Sequence, residues 1–236
     1  MRMGTVIRNI PRTPAEQLEE LKSAGVATIH EAMGRIGLMQ PYMRPIYRGA
    51  RVSGNAITVL GHAGHNVMIH VAVEFCQPGD ILVVAMSAED NHGMFGDLLG
   101  TSLQSRGVVA LIIDAGVRDV EELTAMKFPV WSKTINAQGT GKLYAGLVNC
   151  PVTCAGALVN GGDVIVADED GVVVVPYAKV DATLIACRQR LDKEAKKRAR
   201  LAAGELGLDI ENMRPALQEM GIRYYDSIDD VPEQEK

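Results

Sequence analysis

Residues 108–114, VVALIID, form a short apolar run with almost no polar alternation. A strand that is apolar at successive positions has to be covered on both faces, so this run predicts the centre of a sheet rather than its edge. A second run of the same kind, ILVVAM at 81–86, follows the turn signal Gln77-Pro78-Gly79-Asp80. Between the two, the spacing predicts a helix from Leu98 to about Ser105, closed at Arg106-Gly107, where Gly supplies the left-handed cap. Helix and strand patterns alternate through the first half of the chain, which predicts a parallel or mixed sheet with covering helices.

Upstream, Thr13 before Pro14, with Glu16 three residues after Thr13, reads as a capping box opening a first helix to about Lys22. VATIHEAMGRIG then reads as a second, short helix stopped by Gly34 and Gly37 and carrying His30 and Glu31. A strand is expected from Arg48 to Leu60. A helix is expected from Asn66 to Phe75, with Met68, Val71 and Ala72 on one face. The strand at 108–114 places Asp114 to Arg118 at its carboxyl end, where α/β folds present ligands, and Asp119 with Glu121 and Glu122 opens another helix.

After Met126 the pattern is all-β: FPVWSKT, 143–148, 152–155, and two more strands in LVNGGDVIVADEDGVVVVP, with a hairpin at 168–171. From Ala178 a long helix carries Leu184, Cys187 and Leu191 at apolar spacing, and 207–221 adds one short helix. The last stretch, with Asp226, Asp229, Asp230, Glu233 and Glu235, reads as a mobile acidic tail. Residues 1–236 are therefore expected to form a single domain, with a helical arm at about 179–222 and a tail at 223–236.

Composition narrows the function classes. With 4% aromatic residues and a formal net charge of -5, the chain lacks both stacking platforms and the cationic surplus that nucleic acid requires. No window reaches the ~18 apolar residues of a membrane span, and the N-terminus lacks a signal-peptide core, so a cytoplasmic protein is expected. Cys76, Cys150, Cys154 and Cys187 show no paired metal spacing and read as buried free thiols.

His62 and His65, with His70 nearby, lack a third ligand at a recognised zinc spacing. Lys133 in PVWSKT could form an imine but equally could pair with an acid, and neither Cys150 nor Cys154 is flanked by a base. What remains is Gly96-Asp97-Leu98-Leu99 together with Arg118-Asp119. The first offers a helix N-terminus with unpaired N–H groups, which suits an anion. The second offers a bidentate grip on a carboxylate and a hard oxygen ligand for a divalent cation. An Arg-Asp pair opening a helix also serves as a structural cap, and the residues alone leave that alternative open.

Over nearly the whole chain the sequence resembles the 4-hydroxy-4-methyl-2-oxoglutarate / 4-carboxy-4-hydroxy-2-oxoadipate aldolases, metal-dependent pyruvate aldolases of the superfamily that includes the regulator of ribonuclease activity A. The segments that carry the resemblance run from GVATIHEAMGR through YMRPIYRGARVSG, MIHVAVE, PGDILV, FGDLL, IDAGVRDVEEL, FPVWSK and CAGALVNGGDVIVADEDGV to AAGELGLD.

The resemblance implies an α/β fold: a layered α/β/β/α swivelling-type domain with a C-terminal helical arm, assembled as a homotrimer or homohexamer with sites between subunits. It implies cleavage of 4-carboxy-4-hydroxy-2-oxoadipate to pyruvate and oxaloacetate, and of 4-hydroxy-4-methyl-2-oxoglutarate to two pyruvates. Decarboxylation of oxaloacetate is the implied side activity, and degradation of protocatechuate or gallate the implied setting. By position, Asp119 would be the direct protein ligand of Mg2+ or Mn2+, and Arg118 would bind substrate and stabilise the enolate. The N–H groups of Leu98 and Leu99, beside Gly96, would hold the pyruvate carboxylate. Asp97 would orient water near the methyl carbon, and Glu31 and Glu194 of an adjacent subunit would surround the metal's waters. Two rivals share these residues or this fold: a dedicated oxaloacetate decarboxylase and a non-catalytic binding protein like the ribonuclease regulator.

Overall fold

The computed structural model describes residues 4–233; Glu235 of the expected tail lies outside them. The chain divides into two compact units, Met1–Gln189 and Arg190–Lys236. In chain order the first unit contains β1 (Thr5–Val6), α1 (Ala15–Ala24), α2 (Val26–Ala32), β2 (Arg44–Pro45), β3 (Val52–Gly61), α3 (Val67–Val73), β4 (Asp80–Met86), β5 (Gly93–Phe95), α4 (Asp97–Ser105), β6 (Ala110–Val117), α5 (Val120–Ala125) and β7 (Val130–Ile135). It continues with β8 (Leu147–Val148), β9 (Val152–Cys154), β10 (Ala157–Val159), β11 (Val164–Asp168), β12 (Gly171–Val175) and the start of α6 (Val180–Ala202). The second unit holds the remainder of α6, then α7 (Gly207–Ile210), α8 (Arg214–Glu219) and a 3-10 turn at Ile228–Asp230.

The expected central strands lie where the apolar runs place them. The order β3-β4-β6-β7 is parallel throughout, with Ile81–Val84 of β4 paired to Ala110–Ile113 of β6. Side chains alternate across a strand, and here both faces are buried. Leu82 and Val84 point to a core shared with Met68, Ile69, Leu103 and Leu123 of the helices. Ile81, Val83 and Ala85 point the other way, against a second β layer made of Val152 and Val159 of the β9–β10 pair and Ile165 and Val174 of the β11–β12 pair. β11 repeats the pattern: Ile165 and Ala167 face the inter-sheet core, while Val164 and Val166 face Leu18, Leu21, Ile29 and Leu184 of α1, α2 and α6. The layer order is thus α/β/β/α, with three cores between four layers.

β3 ties the two sheets together. Its first residues, Val52–Asn55, pair with β11, and Asn55–Gly61 pair with β4.

Several local expectations are corrected. Thr13 does not close a capping box: α1 begins at Ala15 without a side-chain cap, and the Thr13 N–H donates to the buried Asn55 Oδ1 at 2.7 Å instead. A tertiary hydrogen bond has displaced the local one. β6 runs on to Val117, so Asp114 lies within the strand, where it accepts the Tyr42 hydroxyl (2.9 Å) and the Ala155 N–H (3.0 Å). The segment 157–175 holds three strands rather than two, and the region after Gly204 holds two short helices rather than one.

Asp80, at the start of β4, has no exposed side-chain surface and accepts from Arg12 Nε (3.0 Å), Arg12 Nη2 (2.9 Å) and the Gln77 N–H (2.8 Å). Removing one partner of such a buried pair is costly because the other charge is left without its counterion. Asp80→Ala is expected to lower unfolding stability by about 3 kcal/mol in urea denaturation. A change within about 0.5 kcal/mol, the scale of an ordinary surface substitution, would show that the pair does not anchor the segment before α1.

Candidate active site

At the carboxyl end of β6 the chain passes through Arg118 and Asp119 before entering α5. Asp119 sits in the left-handed region (φ 55, ψ 43), where residues other than glycine are uncommon. That backbone turns its carboxylate back over Gly96. A Cβ on Gly96 would overlap Asp119 Oδ2, so only glycine allows the start of α4 to approach this closely. Asp119 Oδ2 accepts the Asp97 N–H at 3.2 Å and lies 3.5 Å from Arg118 Nε. Asp119 Oδ1 accepts no hydrogen bond among the described residues.

The first amide to join the ladder of α4 belongs to Gly100, which donates to Gly96 O at 3.0 Å. The N–H groups of Leu98 and Leu99 have no acceptor among the described residues and face the site, as the first turn of a helix leaves them. Gly96, Asp97, Leu98, Leu99, Arg118 and Asp119 line one cavity of about 280 Å³. The two halves separated in sequence by a helix and a strand are brought face to face.

The rest of the lining was not expected from the sequence. It is formed by Asn66 and His70, at the start and end of α3, and by Thr140 and Lys142 from the segment between β7 and β8. Asn66 Nδ2 donates to Met94 O at 3.0 Å, whereas its buried Oδ1 is without a partner. Loss of solvent around the ring, and then the Lys142 ammonium, hold the His70 pKa below the usual imidazole range. The signal that could have found Lys142 is its glycine-flanked setting, GTGK, in which Gly141 permits close backbone approach.

Other candidates resolve elsewhere. Glu31 lies at the end of α2, 3.1 Å from Arg35 Nε, and does not line this cavity. Glu194 belongs to the second unit, 2.8 Å from Arg190 Nε. Lys133 Nζ pairs with Glu89 at 2.9 Å. Burial pushes the Cys154 thiol pKa well up and that of Cys76 to about 12, which makes both inert as nucleophiles.

Among the described residues no three His, Cys, Asp or Glu side chains form a metal cluster. Asp119 nevertheless fits one class of ion. A single carboxylate with one unengaged oxygen, on the wall of a polar cavity, suits a hard cation that keeps most of its water shell, as Mg2+ does; it does not suit zinc.

Residues 26–174 match the RraA-like family described as Aldolase/RraA. The chain belongs to this family. Among Aldolase/RraA relatives, a protein of Halalkalibacterium halodurans named "Putative 4-hydroxy-4-methyl-2-oxoglutarate aldolase" is 26% identical over 183 residues, covering 77% of this chain and 87% of the relative. A protein of Burkholderia multivorans bearing the same name is 32% identical over 143 residues, 61% of this chain and 87% of the relative. The fold also matches that of Streptomyces coelicolor RraAS2, described as an unusual member of the RNase ES inhibitor RraA protein family. The TM-score is 0.71, with 24% identity over 80% of this chain and 99% of that one. The chain is thus similar in sequence to relatives bearing the aldolase name quoted above, and in fold to a protein described within the RNase ES inhibitor RraA family. Among the described residues no helix is long and apolar enough to cross a membrane.

Proposed function

We propose that the chain is a divalent-metal-dependent pyruvate aldolase. It would cleave 4-carboxy-4-hydroxy-2-oxoadipate to pyruvate and oxaloacetate and 4-hydroxy-4-methyl-2-oxoglutarate to two pyruvates. The observation that carries this reading is the convergence on one cavity of two unpaired helix N–H groups, the Arg118 guanidinium and the half-engaged Asp119 carboxylate.

Each group has a role in retro-aldol cleavage. The Leu98 and Leu99 N–H groups bind the C1 carboxylate, aided by the partial positive charge of the helix end. Arg118 lies beside the C2 oxygen, where negative charge accumulates as the C3–C4 bond breaks and its electrons move into an enolate. Removal of the C4 hydroxyl proton leaves a carbonyl on the departing half, and the enolate carbon C3 then gains a proton from water ordered by Asp97. Lys142, on the cavity wall, takes a carboxylate of the departing half. Mg2+ or Mn2+ held by Asp119 would supply Lewis-acid stabilisation of the enolate oxygen. Glu31 and Glu194 would reach a site from a neighbouring copy in a homotrimer or homohexamer. Oxaloacetate, which yields the same enolate on loss of CO2, would be decarboxylated as a side reaction.

The test is a direct assay of pyruvate release from 4-hydroxy-4-methyl-2-oxoglutarate with Mg2+, before and after exhaustive chelation. Cleavage that stops on chelation and returns with Mg2+ is the expected result. Full turnover after chelation would remove the metal from the mechanism, and no cleavage of any 4-hydroxy-2-oxo acid would remove the aldolase reading.

A further inference from the structure

Residues 136–146, between β7 and β8, contain no helix or strand, yet they deliver Gly139, Thr140 and Lys142 to the cavity wall. An irregular segment keeps a cationic side chain in one place only if something else removes its freedom, since each loose residue costs about 1–2 kcal/mol to order. Its start is tied to Asn91, Gly93 and Val117 through Asn136 and Gln138, and the contacts on either side of Lys142 converge on the loop at 62–66. The Gly141 N–H donates to Gly64 O (2.8 Å) and the Asn66 N–H to Gly141 O (3.1 Å), forming a single parallel bridge between His65 and Gly141.

His65 Nδ1 then accepts the Leu143 N–H at 3.3 Å, so both residues flanking Lys142, Gly141 and Leu143, are hydrogen-bonded to this loop. Tyr144 closes the contact, its ring 4.4 Å from that of His62 and 4.5 Å from that of His65. A Cβ on Gly141 would overlap the His65 ring, so the imidazole fills the space that a glycine leaves open. The receiving loop is itself fixed: the Gly64 N–H donates to Asp90 Oδ2 at 2.6 Å, and the buried Asp90 is held through Oδ1 by the His92 N–H (2.8 Å) and the His92 ring (2.6 Å). Asn66, the next residue after His65, lines the same cavity as Lys142.

We propose that His65 is a positioning residue for the substrate cavity: by accepting the Leu143 N–H and packing into the gap at Gly141, it holds the 139–144 strap so that Lys142 stays on the wall of the cavity that Arg118 also lines. It thereby sets the affinity for substrates whose departing half bears a carboxylate. The consequence for substrate choice rests on the aldolase reading above; the mechanical part does not. Among the contacts that hold the strap to the 62–66 loop, the one to Leu143 needs a side-chain acceptor, so it can be deleted while the backbone bridge stays.

His65→Phe keeps a ring for Tyr144 and loses the acceptor; His65→Asn keeps an acceptor, Oδ1, near the place of Nδ1. In the ligand-free full-length protein, amide hydrogen exchange across 139–146 is expected to speed up by about tenfold in His65→Phe and to stay near wild type in His65→Asn. KM for 4-carboxy-4-hydroxy-2-oxoadipate is expected to rise by about tenfold in the Phe variant, with kcat changed by less than about threefold, because a uniform binding contact is lost. Wild-type exchange in His65→Phe, or an Asn variant as impaired as the Phe variant, would overturn the positioning role. His65→Leu gives the same exchange comparison should the Phe variant fail to fold. If the wild-type chain cleaves no 4-hydroxy-2-oxo acid, exchange still decides for or against His65; normal cleavage with unchanged exchange in His65→Phe removes the latch and leaves the aldolase reading intact.

Discussion

Arg118→Lys is expected to lower kcat by about two orders of magnitude while leaving the fold unchanged, because an ammonium cannot reproduce the planar guanidinium fork. Arg118 is half exposed and pairs with its neighbour Asp119 at 3.5 Å, so little stability depends on it. Its value lies in where it points, toward the cavity that also receives the unpaired N–H groups of α4. A single preorganised donor at a developing oxyanion is worth about 3 kcal/mol, close to the hundredfold expected here. Steady-state kinetics with 4-hydroxy-4-methyl-2-oxoglutarate, together with a thermal melt, checks both parts. A variant retaining half of wild-type kcat would place Arg118 outside the reacting centre.

Asp119→Asn is expected to lower kcat/KM by about a thousandfold and to demand far higher Mg2+ for what remains, because a neutral amide oxygen is a poor ligand for a hard divalent ion. The amide still accepts the Asp97 N–H that Asp119 Oδ2 accepts now, so the start of α4 stays in register. The melting temperature is therefore expected to stay within a few degrees of wild type. Activity unchanged at low Mg2+ would show that the carboxylate is a structural cap and nothing more. That is the alternative which the Arg-Asp pair leaves open when read from sequence alone.

The layered fold was legible because burial leaves a periodic trace. VVALIID and ILVVAM are apolar at successive positions because each face of β6 and β4 meets a different core, and no other arrangement hides both. The near half of the site was legible for a related reason, since glycine before a helix and an Arg-Asp pair after a strand are local patterns with local chemistry. Lys142 and Thr140 left no comparable trace: they reach the cavity on a segment without periodicity, held by His65, which lies 78 residues before its partner Leu143. The Thr13 capping box failed in the same way, overridden by Asn55 from 42 residues away. Glu194 is legible as an acid in a basic helix, but its unit is distinct from that of the cavity, and sequence spacing carries no information across such a boundary.

The left-handed backbone of Asp119 sets two demands on the chain against each other. Aspartate is among the few residues with a side chain that visit this region, because its short polar group can hydrogen-bond locally, yet glycine alone adopts it without a steric cost. On the proposed reading, the one substitution that would fully relieve this backbone, to glycine, is also one that removes the carboxylate from the cavity.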